Sequence, residues 1–177
     1  MKAHKLSENH LQTRWEWINS PAIYATMNFG PSISLEQTGE WFRRAAANPE
    51  RIDFAFTDGP DIVAMSGLTG LDRENSMVEY YVMVGPGFQG KGYGNQATRW
   101  SLNYAFSKLG VNKVYLYTNA FNERANKLYE NLGFVLEARM RQHKLREGKL
   151  IDRCMYGMLR EDWVKQPYCN EPNDLEP

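Results

Sequence analysis

The chain has 177 residues, of which 42% are hydrophobic and 24% charged, a size and composition that suit one domain with a full core and no dividing linker. Lys plus Arg and Asp plus Glu number 21 each, so no global field favours nucleic acid or an anionic membrane, and no apolar run has the length of a membrane span or the form of a signal core. Cys154 and Cys169 are too few for a disulfide framework, and a soluble, unexported protein of the reducing cytoplasm is expected.

Ser7 is placed to cap a first helix with Leu11, Trp15 and Ile18 on one face, and Ser20-Pro21 reads as an N-cap with proline at the first helical position. Ser34-Leu35-Glu36-Gln37 is a capping box, after which Thr38, Trp41, Phe42 and Ala45 recur at helical spacing until Asn48-Pro49. Residues 51–57 and 62–71 are strand-like runs joined by Asp58-Gly59-Pro60-Asp61 into a hairpin. A turn over 72–76 leads to a central strand at 77–84. The helix beyond it carries Ala97, Trp100, Tyr104 and Ala105 on its buried face, a strand follows at 111–118, and Asn122 to Leu132 form a helix ended by a left-handed Gly133. Two long strands around Arg146-Glu147-Gly148-Lys149 close the domain, giving the order ααβββαβαββ, an α/β (α+β) fold with a crevice at the carboxyl end of the central strand. The domain is taken as 1–165. Residues 166–177, acidic, proline-containing and poor in apolar side chains, read as a disordered tail.

The strand at 77–84 runs straight into glycine-rich residues that open a helix, the arrangement in which backbone N–H groups and a helix dipole meet an anion. Three phosphate-loop patterns overlap there. Gly85, Gly87 and Gly90 fit a dinucleotide fingerprint, but the next strand ends Tyr117-Thr118-Asn119 without the acidic residue that it requires. Gly85 to Lys91 fit a nucleoside-triphosphate loop, but Gly92 stands where a hydroxyl must hold magnesium. Gln89, Gly92 and Gly94 fit Q-x-x-G-x-G, which cradles a pyrophosphate with amides alone and lacks no part. A tight turn with no ligand is the remaining reading.

Gln89-Gly90-Lys91-Gly92-Tyr93-Gly94 resembles the acetyl-CoA pyrophosphate loop of the GNAT N-acetyltransferase superfamily, and residues 119–134, from Asn119-Ala120-Phe121-Asn122 to Asn131-Leu132-Gly133-Phe134, resemble its second signature. The resemblance spans roughly residues 5–165, with the two blocks as its specific parts. Trp17-Ile18-Asn19-Ser20-Pro21, Glu40-Trp41-Phe42 and 153–163 look like the branch holding ribosomal-protein N-terminal, polyamine and nucleotide-aminosugar acetyltransferases. It implies a mixed, mostly antiparallel central sheet, acetyl-CoA as co-substrate and direct transfer of acetyl to a primary amine.

That chemistry needs a base for an amine of pKa about 10, a polarised carbonyl and a proton for the leaving thiolate. Glu79, on the central strand among Tyr80, Tyr81 and Val82, is the candidate base, with Glu36, Glu40 and Asp152 as weaker alternatives and a purely structural Glu79 as the bland one. Tyr129 matches the position of the family's acid, though its spacing equally suits a core aromatic. The resemblance gives Gln89, Gly90, Lys91, Gly92, Tyr93 and Gly94 to the pyrophosphate, Asn122 with Asn119 to the pantetheine arm, and backbone N–H near Met83 and Val84 to the carbonyl. Asn122 can instead be a helix cap. Neither cysteine has the neighbours of an activated nucleophile, and His4, His10 and His143 are too scattered for a metal site, so no metal is expected. The basic run 139–144 is able to bind a phosphate, but a solvated strand face is the preferred reading.

By resemblance Trp15, Trp17, Tyr24, Phe29, Trp41 and Phe42 wall the acceptor cleft, although each also suits the core. A small-molecule amine, such as an aminosugar nucleotide or a polyamine, is expected, with no nucleic acid or membrane partner; a homodimer is compatible. A ribosomal-protein-type N-terminal acetyltransferase and a non-catalytic acyl-CoA sensor are the alternatives.

Overall fold

Alternating apolar positions and helical repeats resolve into 13 strands and α-helices among the residues described by the structure, a computed structural model that covers 1–27 and 32–175. In chain order these are β1 (Lys2–Lys5), α1 (Leu11–Ile18), α2 (Pro21–Tyr24), α3 (Leu35–Ala47), β2 (Ile52–Asp58), β3 (Asp61–Asp72), β4 (Met77–Val84), α4 (Tyr93–Tyr104), β5 (Lys113–Asn119), α5 (Glu123–Asn131), β6 (Val135–Arg146), β7 (Lys149–Leu159) and α6 (Arg160–Trp163). The strands make one sheet in the order β1-β2-β3-β4-β5-β7-β6, antiparallel except where β4 runs beside β5.

The sheet buries both faces. On one, Phe54, Leu68, Val78, Tyr80, Leu116 and Tyr156 belong to a core that includes Ala97, Leu102 and Ala105 of the α4 segment and Tyr129 of α5. On the other, Ala55, Met65 and Met83 pack with Leu6, Trp17, Ile18 and Ile23, so α1 to α3 cover the β2–β4 half. The Ser34 capping box forms as read: Gln37 N–H donates to Ser34 Oγ at 3.1 Å and Ser34 N–H to Gln37 Oε1 at 2.8 Å. Gly133 is left-handed at φ +92°.

Three expectations change. The order ααβββαβαββ omits β1, whose Lys-Ala-His-Lys sequence buries only Ala3 and shows no apolar alternation, and the one-turn α6, and it counts two leading helices where there are three, although the helix read from Ser20-Pro21 forms as α2 with Ser20 as its N-cap. Ser7 caps a 3-10 turn at Glu8–His10 instead of α1, and α1 turns Arg14, Trp17 and Ile18 inward where Leu11, Trp15 and Ile18 were expected. The tail does not begin at Gln166. Tyr168 is 4% exposed and donates its hydroxyl to Leu132 O at 2.5 Å. Asn103 Nδ2 donates to Tyr168 O at 2.8 Å and Glu171 O at 3.1 Å, and Arg99 pairs with Glu171. Composition hid this because one buried aromatic and a few backbone acceptors suffice to dock a polar segment.

Candidate active site

The site begins where two strands part. β4 and β5 pair at Met77↔Lys113, Val78↔Val114 and Glu79↔Tyr115, and no further, although they continue to Val84 and Asn119. β4 stays paired with β3, and Gly85 N–H donates to Val63 O at 3.0 Å. An antiparallel ladder alternates, so Met83 and Tyr81 turn their backbone groups to β3, while Val82 and Val84 turn theirs into the opening. Of Met83 and Val84, named together from sequence, Val84 faces the gap; Met83 is also buried in the core beneath α1. Unpaired strand N–H groups lining a gap in the middle of a sheet are donors awaiting an acceptor.

At the end of β4 the chain turns into α4. Gly85 is needed for close approach: a Cβ there would stand 2.4 Å from Trp17 Cζ2. Gly90 and Gly92 have φ +84° and +88°, a region costly for any other residue type. Gly92 is the N-cap, Gln96 N–H donates to its carbonyl at 3.1 Å, and the amides of Tyr93, Gly94 and Asn95 precede the first intrahelical bond. These amides and the helix dipole suit an anion, and the left-handed glycines leave the cradle open. Tyr93 contributes its amide, since its hydroxyl donates to Asp58 Oδ2 at 2.6 Å. Lys91 Nζ lies 5.3 Å from the Phe88 ring centre. Gln89, extended at φ −63° and ψ 144°, leads into the cradle.

α5 closes the same mouth from the side of β5. A Cβ on Gly94 would meet Leu128 Cδ2 at 3.6 Å, and one on Gly90 would meet Arg124 Nη2 at 3.9 Å, which brings a guanidinium beside the glycine loop. Asn122 caps α5, its Oδ1 accepting from Ala125 N–H at 3.2 Å, which leaves the two Nδ2 protons to serve another acceptor. Asn119 is occupied differently: its Nδ2 donates to Thr26 O at 2.9 Å and its Oδ1 is buried with no partner among the described residues. Tyr129 is 6% exposed, packed edge-on to Phe134 with ring centres 5.5 Å apart, and its hydroxyl has no hydrogen bond among the described residues. Burial pushes this phenol well above its ordinary value, so it stays protonated.

Glu79 points to the opposite face, the one covered by α1 to α3. The register puts Glu79 beside Tyr115 of β5, and Tyr117 and Asn119 continue that face. The carboxyl is half-buried and forms no hydrogen bond or ion pair among the described residues; desolvation raises its pKa against the lowering pull of Arg153 and then Arg51. Asp53 is not available in the same way. Arg51 holds it through Nε at 2.6 Å and Nη2 at 2.9 Å, and Tyr81 donates its hydroxyl at 2.5 Å. Burial and the Asp53 carboxylate push Tyr81 up to about 12, against the pull of Arg14 and Arg51.

Glu36 and Glu40 are exposed on α3, and Asp152 accepts from Gln142 N–H at 2.9 Å and Arg139 Nε at 3.1 Å, which holds its pKa down. The aromatic walls divide. Trp17 is buried against Gly85, Trp15 Nε1 donates to Ile33 O at 2.8 Å, and Trp41 is stacked by Arg14 at 3.8 Å and Arg51 at 5.0 Å. Phe42 packs on the second core, and Tyr24 O accepts from Arg146 Nη2 at 2.7 Å. Phe29 lies outside the described residues.

Arg124, Arg51 and Arg153 escaped sequence reading because nothing in their local pattern sets them apart from solvated basic residues. The one available signal was Arg124 lying two positions beyond Asn122 within the second signature. Among the described residues no group of three or more His, Cys, Asp or Glu could hold a metal, and no helix is long and apolar enough to cross a membrane.

Comparison with known proteins extends these observations. The chain is 29% identical over 130 residues to the SPbeta prophage-derived uncharacterized N-acetyltransferase of Bacillus subtilis, covering 73% of each chain. It is 27% identical over 123 residues to a spermidine N(1)-acetyltransferase of Vibrio cholerae, covering 69% of this chain and 71% of that one. The structure of spermidine N-acetyltransferase from Vibrio cholerae in complex with CoA and spermine superposes with a TM-score of 0.88 at 21% identity, over 93% of this chain and 98% of the other, and shares the fold. Residues 4–135 match the acetyltransferase (GNAT) domain, and with its parted β4 and β5 and its glycine cradle the chain belongs to the GNAT acetyltransferase family.

Proposed function

We propose that the protein transfers acetyl from acetyl-CoA directly to the primary amine of a small molecule, a polyamine or an aminosugar nucleotide, with Glu79 as base and Tyr129 as acid. One observation carries the reading: the opening between β4 and β5 has an unbonded, half-buried carboxylate on one face of the sheet and an unbonded, protonated phenol on the other. Acetyl-CoA supplies the activated acyl group. The amides of α4's first turn, with Arg124 alongside, suit its pyrophosphate; Asn122 Nδ2 and the N–H groups of Val82 and Val84 suit the amide-bearing arm.

The division of labour follows from charge. An ammonium reaching Glu79 gives up a proton to it, directly or through one water, and the freed lone pair attacks the thioester carbon. Val84 N–H, fixed in the gap, meets the negative charge that grows on the carbonyl oxygen. As the carbon–sulfur bond breaks, the thiolate takes the Tyr129 proton, and the second proton of the attacking nitrogen, now acidic, is lost through water, which returns one to Tyr129, while Glu79 releases its own to solvent. A phenol with a raised pKa is a weak acid, yet the same dry pocket raises the basicity of the thiolate, so the transfer stays near balance. Spermidine N(1)-acetyltransferases among the relatives support the amine class.

The test is thiol release from acetyl-CoA against spermidine, aminosugar nucleotides and short peptides, with calorimetric titration of acetyl-CoA. Tyr129→Phe is expected to lower kcat at least about tenfold with acetyl-CoA affinity nearly unchanged. An unchanged kcat removes Tyr129 from the mechanism, and tight cofactor binding without turnover on any amine replaces the enzyme with an acyl-CoA sensor.

A further inference from the structure

The acceptor face carries a guanidinium that the chemistry above does not use. Arg153, on β7, is the register partner of Asn119 on β5 and shares a sheet face with Tyr117, Tyr115 and, across the last parallel pair, Glu79. Its Cζ stands 4.7 Å from the Tyr117 ring centre. Tyr117 is held in turn by Tyr115, edge-on at 5.9 Å, and by His143, stacked at 6.5 Å. The cation therefore sits on a fixed aromatic platform. Its Nε is buried without a partner, and among the described residues none of its guanidinium nitrogens makes a hydrogen bond or an ion pair.

A guanidinium has five N–H donors in a planar fork; in Arg153 the buried Nε–H lacks an acceptor, which is costly unless a ligand supplies one, and the two Nη groups, which are not buried, are free to meet the same ligand. Two paired oxygens match that fork. A bare polycation fits poorly, because Arg51 and Arg153 both act on the cleft, Asp53 is already held by Arg51 and Tyr81, and Glu79 is the carboxylate left to receive a positive charge. We infer that the acceptor is a primary amine that also carries an anionic group, a carboxylate or a phosphate, which Arg153 holds while the amine faces Glu79. This narrows the proposed transferase reading, resting on it for the location of the acceptor.

The full-length protein, with CoA present, is titrated calorimetrically with propylamine against β-alanine, glucosamine against glucosamine 6-phosphate, and spermidine. The anionic member of at least one pair is expected to bind about tenfold or more tightly than its partner that lacks the anionic group, and tighter than spermidine. The pair that shows the preference distinguishes carboxylate from phosphate. Arg153→Met, which keeps an apolar stem over Tyr117, is expected to abolish the preference by weakening the anionic amine, while the affinity for the amine that lacks the anion holds or rises because a cation acting on Glu79 is gone, and Arg153→Lys to retain part of it; a melting curve of each variant separates lost recognition from lost fold. Spermidine binding as tightly as any anionic amine, a preference unchanged in a folded Arg153→Met, or no binding of any amine each overturns the inference. Preferential binding without acetyl transfer would overturn the proposed reaction and leave the recognition by Arg153 standing.

Discussion

The chemistry proposed for Glu79 and Tyr129 rests on what is missing around them. Each lacks a hydrogen-bond partner in a desolvated place, and the consequence for stability has a definite sign. Burial raises the Glu79 pKa above its ordinary 4.5, so ionising this side chain costs folding free energy once pH exceeds the folded pKa, and costs nothing below the unfolded one. Glu79→Gln is thus expected to melt higher than the parent at pH 7 to 8, with the gain fading as pH falls to about 4, while losing acetyl transfer. A lower melting temperature at pH 7 would show that the charged form is stabilised by Arg153 and Arg51 more than burial penalises it. The placement of both, on β4 and on α5, was readable in the sequence because periodic apolar positions and motif spacing flank them. Arg153 was not. Its importance comes from Tyr117 and Asn119 of β5, more than 30 positions earlier in the chain, and no local pattern carries such a pairing.

At the scale of elements, β4 and α5 were placed to within a residue because each has strong periodicity and a decisive stop, Gly85 for one and Gly133 for the other. Elements defined by few apolar residues were missed. β1 depends on pairing with β2, and the segment after α6 depends on Asn103, which donates to Tyr168 and Glu171 and accepts from Trp163 Nε1 at 2.8 Å. That docking has a measurable weight. Tyr168→Ala removes a buried aromatic and is expected to cost about 3 kcal/mol or more, lowering the melting temperature by roughly 10 °C, whereas Tyr168→Phe loses mainly one hydrogen bond, about 1 kcal/mol. Deleting everything after Lys165 should destabilise at least as much as Tyr168→Ala. A truncation with no thermal effect would restore the disordered-tail reading.

For the whole molecule, β1–β4 and β5–β7 are two half-sheets joined by three parallel residue pairs, bridged on one face by the core beneath α4 and α5. Sequence periodicity located each strand but could not show this seam, since a strand that loses its neighbour halfway looks the same as one that keeps it. The seam gives a central strand the solvent chemistry of a sheet border. Without ligand, the amides of Val82 and Val84 should trade deuterium with water far faster than those of Tyr81 and Met83 next to them, a two-residue rhythm along one strand. Acetyl-CoA should slow the fast pair and leave the slow pair alone, so the time course of four neighbouring amides would report whether the cofactor arm behaves as the missing strand.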